Sequence, residues 1–124
     1  MNSVDQKTIL IVEDEVITSL ELKSILVRHG YSVVGAVMTG GDAILEASAK
    51  RPDLILMDIG LMGDMNGIEA AGYIKARYNI PVVFISANTN KATYDEAMAV
   101  EPAAYIAKPF DENQLIETFR MVFK

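Results

Sequence analysis

Acidic residues follow two apolar runs of the sequence. The run "LIV" at 10–12 leads into Glu13 and Asp14, and "LILM" at 54–57 leads into Asp58. A carboxylate at the end of a buried strand loses solvation unless another group compensates its charge. Carboxylates that lie close together also repel one another, and a hard divalent cation such as Mg²⁺ relieves that repulsion. If the fold brings these three acids together, we expect them to bind Mg²⁺.

A hydroxyl group and an ammonium group stand at the ends of two further apolar runs. Ser86 ends "PVVFIS", and Lys108 follows "AAYIA". Lysine supplies a compact positive charge that pairs with a carboxylate or with an oxygen bound to it. Acids, a metal ion, a hydroxyl and an ammonium group around one aspartate are the groups that stabilise a phosphoryl group during its transfer. Asp58 is therefore predicted to be the nucleophile and phosphoryl acceptor.

Short apolar runs alternate with segments of helical period five times along the chain. The short runs are rich in β-branched residues, and the longer segments repeat apolar residues on one helix face. The predicted strands are 8–12, 31–37, 53–58, 81–86 and 103–107, and the predicted helices are 15–29, 39–50, 67–78, 91–100 and 111–123. Gly30 is predicted to end the first helix and Pro52 the second. Either Thr39 or Asp42 is predicted to cap the second helix.

Strands separated by helices pair in parallel through right-handed crossovers, and the helices cover both faces of the sheet. Five such units predict an α/β, flavodoxin-like, doubly wound (βα)5 sandwich of three layers with a five-stranded parallel sheet. An eight-unit barrel would need a longer chain. In an open parallel sheet the ligand site lies beyond the carboxyl ends of the strands, so the acids, Ser86 and Lys108 are expected at one edge.

The size and composition fit one domain. A chain of 124 residues, 51% of them hydrophobic, is too short for two ordinary domains, and we expect one over 1–124 with a core over about 7–123. The formal net charge of −6 argues against direct nucleic-acid binding, and the absence of cysteine excludes thiolate chemistry. The start "MNSVDQK" has no signal-peptide pattern, and no stretch approaches the roughly 18 apolar residues of a membrane span. We therefore expect a cytoplasmic protein without membrane insertion.

At these residues the chain resembles the receiver domains of two-component response regulators. The segments "LIVEDE", "PDLILMDI", "NGIEA", "PVVFISA" and "AAYIAKPF" stand in the family's order and at its spacing over essentially the whole chain. The resemblance implies that Asp58 accepts a phosphoryl group from a phosphohistidine of a partner histidine kinase or histidine phosphotransfer protein. It implies a signalling domain rather than an enzyme, one that assists its own phosphorylation and dephosphorylation.

The resemblance also implies a Mg²⁺ site beside Asp58. Glu13 and Asp14 match the acidic pair of the family, with Asp14 as a direct ligand and Glu13 acting through water. Gly60, two positions after the acceptor, would offer its backbone carbonyl to the metal.

A switch is implied for Ser86 and Tyr105. Ser86 matches the hydroxyl position that contacts the phosphoryl group, and Lys108 matches the lysine that pairs with it. The Lys108-Pro109 bond is commonly cis in the family. Ser86 would move toward the phosphoryl group and Tyr105 would fill the space that it leaves. The surface of the fourth helix, fifth strand and fifth helix would change, and a target protein or a second copy in a homodimer would bind there.

The loop after Asp58 departs from the family's usual pattern. It reads "DIGLMGDMNG", without a Met-Pro pair and with one residue more. Gly60 is also small for its position. We hypothesise that an open approach at Gly60 lets water reach the acyl phosphate and shortens its life.

Each of these residues has a purely structural alternative. Asp58 could cap a turn or a helix, Ser86 could be a turn residue, and Tyr105 could only pack on its strand. Glu15 is predicted to begin the first helix, and His29, late in that helix, receives no catalytic role.

Two other functions are compatible with such a fold. A Mg²⁺-dependent phosphohydrolase with an aspartyl nucleophile needs a second acid where this chain has Gly60, and a cap that selects substrates. A flavin- or nucleotide-binding module needs a phosphate-binding loop where "VEDEV" places acids. The sequence shows no output domain after "FRMVFK". We expect either a regulator that works alone, such as a phosphorelay shuttle, or a fragment of a longer one.

Overall fold

The computed structural model describes residues 6–88 and 90–124, so that most of the polar start of the chain and Thr89 lie outside the described residues. Strands and helices alternate along the chain. The strands are β1 Thr8–Val12, β2 Ser32–Val37, β3 Leu54–Asp58, β4 Val82–Ser86 and β5 Ala104–Ala107. The helices are α1 Val16–Arg28, α2 Gly40–Lys50, α3 Gly67–Tyr78, α4 Lys91–Ala99 and α5 Glu112–Val122. The predicted bounds agree with these within one residue at each end.

Local signals in the sequence explain where the helices begin and end. Thr39, one of the two predicted caps, accepts a hydrogen bond from the backbone N–H of Asp42 at the start of α2. Asn66 and Glu69 form a reciprocal capping box at the start of α3. Gly30 follows α1 with a φ of 92°, a left-handed conformation that glycine adopts at little cost.

The five strands form one parallel sheet in the order β2-β1-β3-β4-β5. The flavodoxin-like α/β fold class is thereby confirmed. The strand order reverses between β1 and β3, which is where doubly wound sheets bind ligands. The register aligns Asp58 with Ile85 and Ser86 with Ala107. The residues that follow β1, β3, β4 and β5 consequently meet at one edge of the sheet.

The core consists of two apolar layers, one on each face of the sheet. Alternate residues of the central strands enter one layer or the other, because successive strand side chains point to opposite faces. Met57 and Phe84 pack toward α2 and α3, whereas Leu56 and Ile85 pack toward α1 and α5. Every residue of β3 and β4 is buried, so that the ends of these strands are fixed points for the side chains beyond them.

Within residues 6–88 and 90–124, no helix combines the length and the apolar character that crossing a lipid bilayer would require.

Candidate functional site

A pocket of about 350 Å³ opens at the carboxyl edge of the sheet, between the loops that follow β1, β3, β4 and β5. Its wall includes Asp14, Asp58, Gly60, Ser86 and Lys108. The sequence predicted that these side chains converge, and the parallel register explains why they do.

Three carboxylates lie together at this edge of the sheet. Glu13, Asp14 and Asp58 each offer an oxygen, and these oxygens all lie within 4.8 Å of one another. The side chains of Glu13 and Asp58 are buried, with only 1% and 6% of each residue exposed, whereas Asp14 is half-buried. Such a cluster of oxygen ligands suits a hard divalent cation.

Lys108 brings a positive charge to the two buried carboxylates. Its Nζ atom donates to Oε1 of Glu13 at 3.0 Å and to Oδ2 of Asp58 at 3.3 Å. The backbone N–H of Lys108 donates to the carbonyl of Ser86 at 2.8 Å, which anchors the residue just beyond β5. The Lys108-Pro109 peptide bond is cis.

Burial and ion pairing have opposite effects on the pKa of Glu13, and likewise on the pKa of Lys108. Burial, helped by the hydrogen bond with Asp58, raises the pKa of Glu13 to about 7, although Lys108 and the N–H of Glu15 favour its ionised form. Burial alone would lower the pKa of Lys108, but its hydrogen bond with Glu13 and the negative charge of Asp58 raise that pKa above the usual value. Lys108 therefore stays charged while Glu13 titrates near neutrality.

Gly60 lies at the open side of Asp58. Its backbone N–H donates to Oδ1 of Asp58 at 3.1 Å, which fixes the orientation of the carboxylate. A Cβ atom added at Gly60 would approach only that same Oδ1 atom, at 4.0 Å. There is consequently room for a side chain at position 60 without displacement of its neighbours.

Ser86 and Tyr105 lie on either side of Asn88. The buried Ser86 accepts a hydrogen bond through Oγ from the backbone N–H of Asn88 at 3.0 Å. The Tyr105 hydroxyl donates to the carbonyl of Asn88 at 3.2 Å, and its ring meets that of Tyr94 edge to face with centroids 5.1 Å apart. Tyr105 lies beside the pocket rather than in its wall.

Residues 9–120 match the response regulator receiver domain family. The chain belongs to this family. The receiver domain is 34% identical over 119 residues to the chemotaxis protein CheY of Thermotoga maritima, with 95% of this chain and 98% of that protein covered. It is 31% identical over 115 residues to the transcriptional regulatory protein PdtaR of Mycobacterium tuberculosis, with 93% of this chain covered. That match extends over 56% of PdtaR, so the chain spans about half the length of this relative.

Solved structures give the same classification. The signal receiver domain of a modulated diguanylate cyclase from Desulfovibrio desulfuricans G20 superposes with a TM-score of 0.90 at 35% identity, covering 95% of this chain and 94% of that one. A CheY-like response regulator receiver domain protein from Methanospirillum hungatei JF-1 superposes with a TM-score of 0.86 at 27% identity, covering 94% and 93%.

Membership of the family gives this site a general role. Receiver domains are signalling domains of two-component systems that bind Mg²⁺ at an acidic pocket and work with histidine kinases or phosphotransfer proteins. The carboxylate cluster of this receiver domain is of the kind that holds such an ion.

Other residues around the site carry roles that the sequence patterns did not indicate. Asn88 joins Ser86 to Tyr105, and the "SANTN" segment gave only a weak signal for it, namely amide residues between a strand and a helix. Gly67 packs against the backbone of Asp58 and Ile59, where a Cβ atom would clash. His29, which received no catalytic role from the sequence, is not among the residues lining the pocket, and its Nε2 atom lies 2.7 Å from Oε2 of Glu112.

Proposed function

We propose that this receiver domain accepts a phosphoryl group on Asp58 from a phosphohistidine of a histidine kinase or a histidine phosphotransfer protein. The observation that carries the proposal is the arrangement around Asp58. This buried carboxylate lies within 4.8 Å of two other acids and receives one ammonium group from Lys108. A single strand-terminal aspartate that only capped a turn would not need these partners.

The transfer requires one bond to form and one to break. An oxygen of Asp58 attacks the phosphorus atom, and the P–N bond to the histidine ring breaks with its electron pair going to the ring nitrogen. The histidine, which carries a proton on its other ring nitrogen, leaves as neutral imidazole. Lys108 would pair with an oxygen of the transferred group, and the Ser86 hydroxyl, which accepts a hydrogen bond from Asn88, would donate its own hydrogen to another. Positive charge and donors fixed in this way stabilise the charge that develops on the phosphoryl oxygens.

The residues at the pocket fit a Mg²⁺ ion. Asp14 and Asp58 would bind it directly, Glu13 would act through water, and Gly60 would contribute its backbone carbonyl. The ion would neutralise charge between the acids and the phosphoryl oxygens. Burial, together with the neighbouring Asp58, raises the pKa of Glu13 to about 7, and a cation bound beside these acids would favour their ionised forms.

The donor is proposed to approach over α1, whose N-terminal end adjoins the pocket. An outer apolar stripe, which we define as Ile17, Leu20 and Val27, faces solvent on this helix, with 83%, 61% and 53% of each residue exposed. These positions share one side of the helix, opposite to the buried Leu22. An exposed apolar stripe beside the acceptor fits a protein donor better than a small one.

We propose that a target protein or a second copy binds the surface formed by α4, β5 and α5. Tyr105 stands on β5 between the pocket and this surface, and Tyr94 of α4 packs against its ring. Movement of Ser86 toward a phosphoryl group would alter this contact and with it the surface that a target or a second copy binds.

Intact-mass measurement tests the proposed acceptor. The full chain is incubated with Mg²⁺ and acetyl phosphate, and the wild type should gain one phosphoryl adduct that is stable in acid and labile in base. The Asp58→Asn variant should gain none, and a chelator should abolish the adduct of the wild type. Catalytic turnover of a phosphate ester over many cycles would instead indicate a phosphohydrolase.

A further inference from the structure

Asn88 makes four hydrogen bonds to three different parts of the molecule. Its backbone N–H donates to Oγ of Ser86 at 3.0 Å, and its carbonyl accepts from the Tyr105 hydroxyl at 3.2 Å. Its side-chain Oδ1 atom accepts from the backbone N–H of Asn90 at 2.7 Å. Its Nδ2 atom donates to Oγ1 of Thr93 at 3.3 Å. The backbone of one residue thus contacts the pocket and β5, while its side chain contacts the start of α4.

Helix α4 is held mainly at its two ends. Of its residues only Ala97 is buried, so the helix buries little apolar surface. At its C-terminal end, Nζ of Lys75 donates to the carbonyls of Val100 at 3.2 Å and Glu101 at 2.7 Å. At its N-terminal end, Asn90 caps the first turn. Apart from Ala97 and the contact of Tyr94 with Tyr105, little side-chain packing holds this helix, so the polar contacts at its ends help to fix where it lies.

We propose that Asn88 is a positioning residue that transmits the phosphorylation of Asp58 to the first turn of α4. This inference rests on the proposed function. Ser86 accepts from the N–H of Asn88, so a phosphoryl oxygen that draws the Ser86 hydroxyl also displaces Asn88. The amide side chain then carries the displacement to Asn90 and Thr93.

The division between backbone and side-chain contacts makes the inference testable. Replacing Asn88 by Ala keeps its backbone bonds to Ser86 and Tyr105 but removes both side-chain bonds to α4. Replacing Thr93 by Val removes only the Nδ2 to Oγ1 bond, at a half-buried position outside the pocket wall, without a change in side-chain shape. Thr118→Val is the matched control, since Thr118 is also half-buried and its hydroxyl donates within α5, to the carbonyl of Gln114.

Amide hydrogen exchange of the segment 91–99 is the measurement. Each full-length variant is compared with and without Mg²⁺ and acetyl phosphate, and intact mass gives the phosphorylated fraction of the same sample. In the wild type, phosphorylation should change the exchange rate of this segment by about threefold or more, the equilibrium effect expected of one or two hydrogen bonds. Thr93→Val should be phosphorylated like the wild type but lose most of that change. Asn88→Ala should lose at least as much of the phosphorylation-dependent change. The double variant, with Asn88→Ala and Thr93→Val together, should lose no more than Asn88→Ala alone.

Several results would overturn the inference. If phosphorylation changes the exchange rate of segment 91–99 in Thr93→Val and Asn88→Ala as much as in the wild type, the side-chain hydrogen bonds of Asn88 are not needed for the transmission. If a variant exchanges faster than the wild type by the same factor with and without phosphorylation, Asn88 has a merely structural role. An equal loss of coupling in Thr118→Val would show that the effect is not local to α4. Phosphorylation of the wild type without any change in 91–99 would end the inference and leave the proposed function intact, whereas absence of the adduct on Asp58 would remove both.

Discussion

The Nζ atom of Lys108 lies 3.0 Å from Oε1 of Glu13, and the two groups are among the least exposed charges of the pocket. The same Nζ atom reaches Oδ2 of Asp58 at 3.3 Å, so that one ammonium group compensates two buried carboxylates. A lone positive charge between two negative ones makes the pocket sensitive to the removal of either kind of charge. The proposed phosphoryl acceptor and the stability of the metal-free fold are therefore both expected to depend on Lys108.

Lys108→Met should affect both properties. In the absence of Mg²⁺ the free energy of unfolding should fall by about 2 kcal/mol, because two buried carboxylates lose their hydrogen-bonded cation. Phosphorylation by acetyl phosphate should slow by about a hundredfold, the usual cost of removing one charge-stabilising group. Urea unfolding and intact mass measure the two effects. Lys91→Met, which removes an exposed ion pair with Asp95, should change stability by less than about 0.5 kcal/mol. Equal effects of the two variants would contradict the assigned role.

Glu13 should link folding stability to pH. Burial raises its pKa from the ordinary 4.5 to about 7, so the folded state holds this proton more tightly than the unfolded chain does. Its contribution is fully present below about pH 4.5 and is lost as the pH rises through about 7. In metal-free buffer the free energy of unfolding should fall over that interval, by about 3 kcal/mol at most. Urea unfolding from about pH 4.5 to about pH 8 measures the slope. Glu13→Gln should show a flatter slope, and parallel slopes would refute the linkage.

Much of the fold could be predicted from the sequence because its signals are local and mutually consistent. Each strand is a short, mostly apolar run, each helix has its own cap or stop, and the pattern in "LIVEDE" and "LILMD" places acids at the ends of strands. Parallel topology then brings Asp58, Ser86 and Lys108 to one edge without any long-range information.

The finer geometry of the site depends on contacts that no local pattern encodes. Sequence alone did not show that Glu13 is more buried than Asp14. That difference depends on long-range contacts, such as the hydrogen bond from Lys108 beyond β5 to Glu13 beyond β1. Nor did it show the contacts of Asn88, which depend on the loop backbone after β4. Spacing predicts which side chains meet, whereas loop conformation decides which atoms bond.

Gly67→Ala should destabilise the fold and disturb Asp58, the proposed acceptor. A Cβ atom at this position would overlap the carbonyl of Asp58 and lie 2.9 Å from Cα of Ile59, so backbone would have to move. The expected loss in unfolding free energy is about 1–3 kcal/mol, together with slower phosphorylation of Asp58. Gly41→Ala is the matched control, since Gly41 also lies in the first turn of a helix and its Cβ would meet nothing within 4 Å. A stability loss of the same size in both variants would show that the close approach at Gly67 is unimportant.

The outer apolar stripe of α1 should matter for a protein donor and not for a small one. Leu20→Glu places a charge on the proposed docking surface and should slow phosphoryl transfer from a phosphorylated histidine phosphotransfer protein by about tenfold or more. The rate with acetyl phosphate should remain that of the wild type. Leu45→Glu on α2 is the control, because Leu45 has a similar exposure of 67% but lies away from α1. Equal slowing by both variants, or slowing with acetyl phosphate, would argue against a donor surface on α1.

Gly60→Arg tests whether open space beside Asp58 limits the life of the acyl phosphate. The exposed backbone at this position accepts a Cβ atom without a close contact, since that atom meets only Oδ1 of Asp58 at 4.0 Å. An arginine there should cover one approach of water to the phosphorus atom and slow dephosphorylation by about threefold to tenfold, equivalent to a barrier increase of about 1 kcal/mol. The decay of the intact-mass adduct after removal of acetyl phosphate measures the rate. Gly41→Arg, outside the pocket, should decay like the wild type. If Gly60→Arg also decays at that rate, water does not reach the phosphoryl group past position 60.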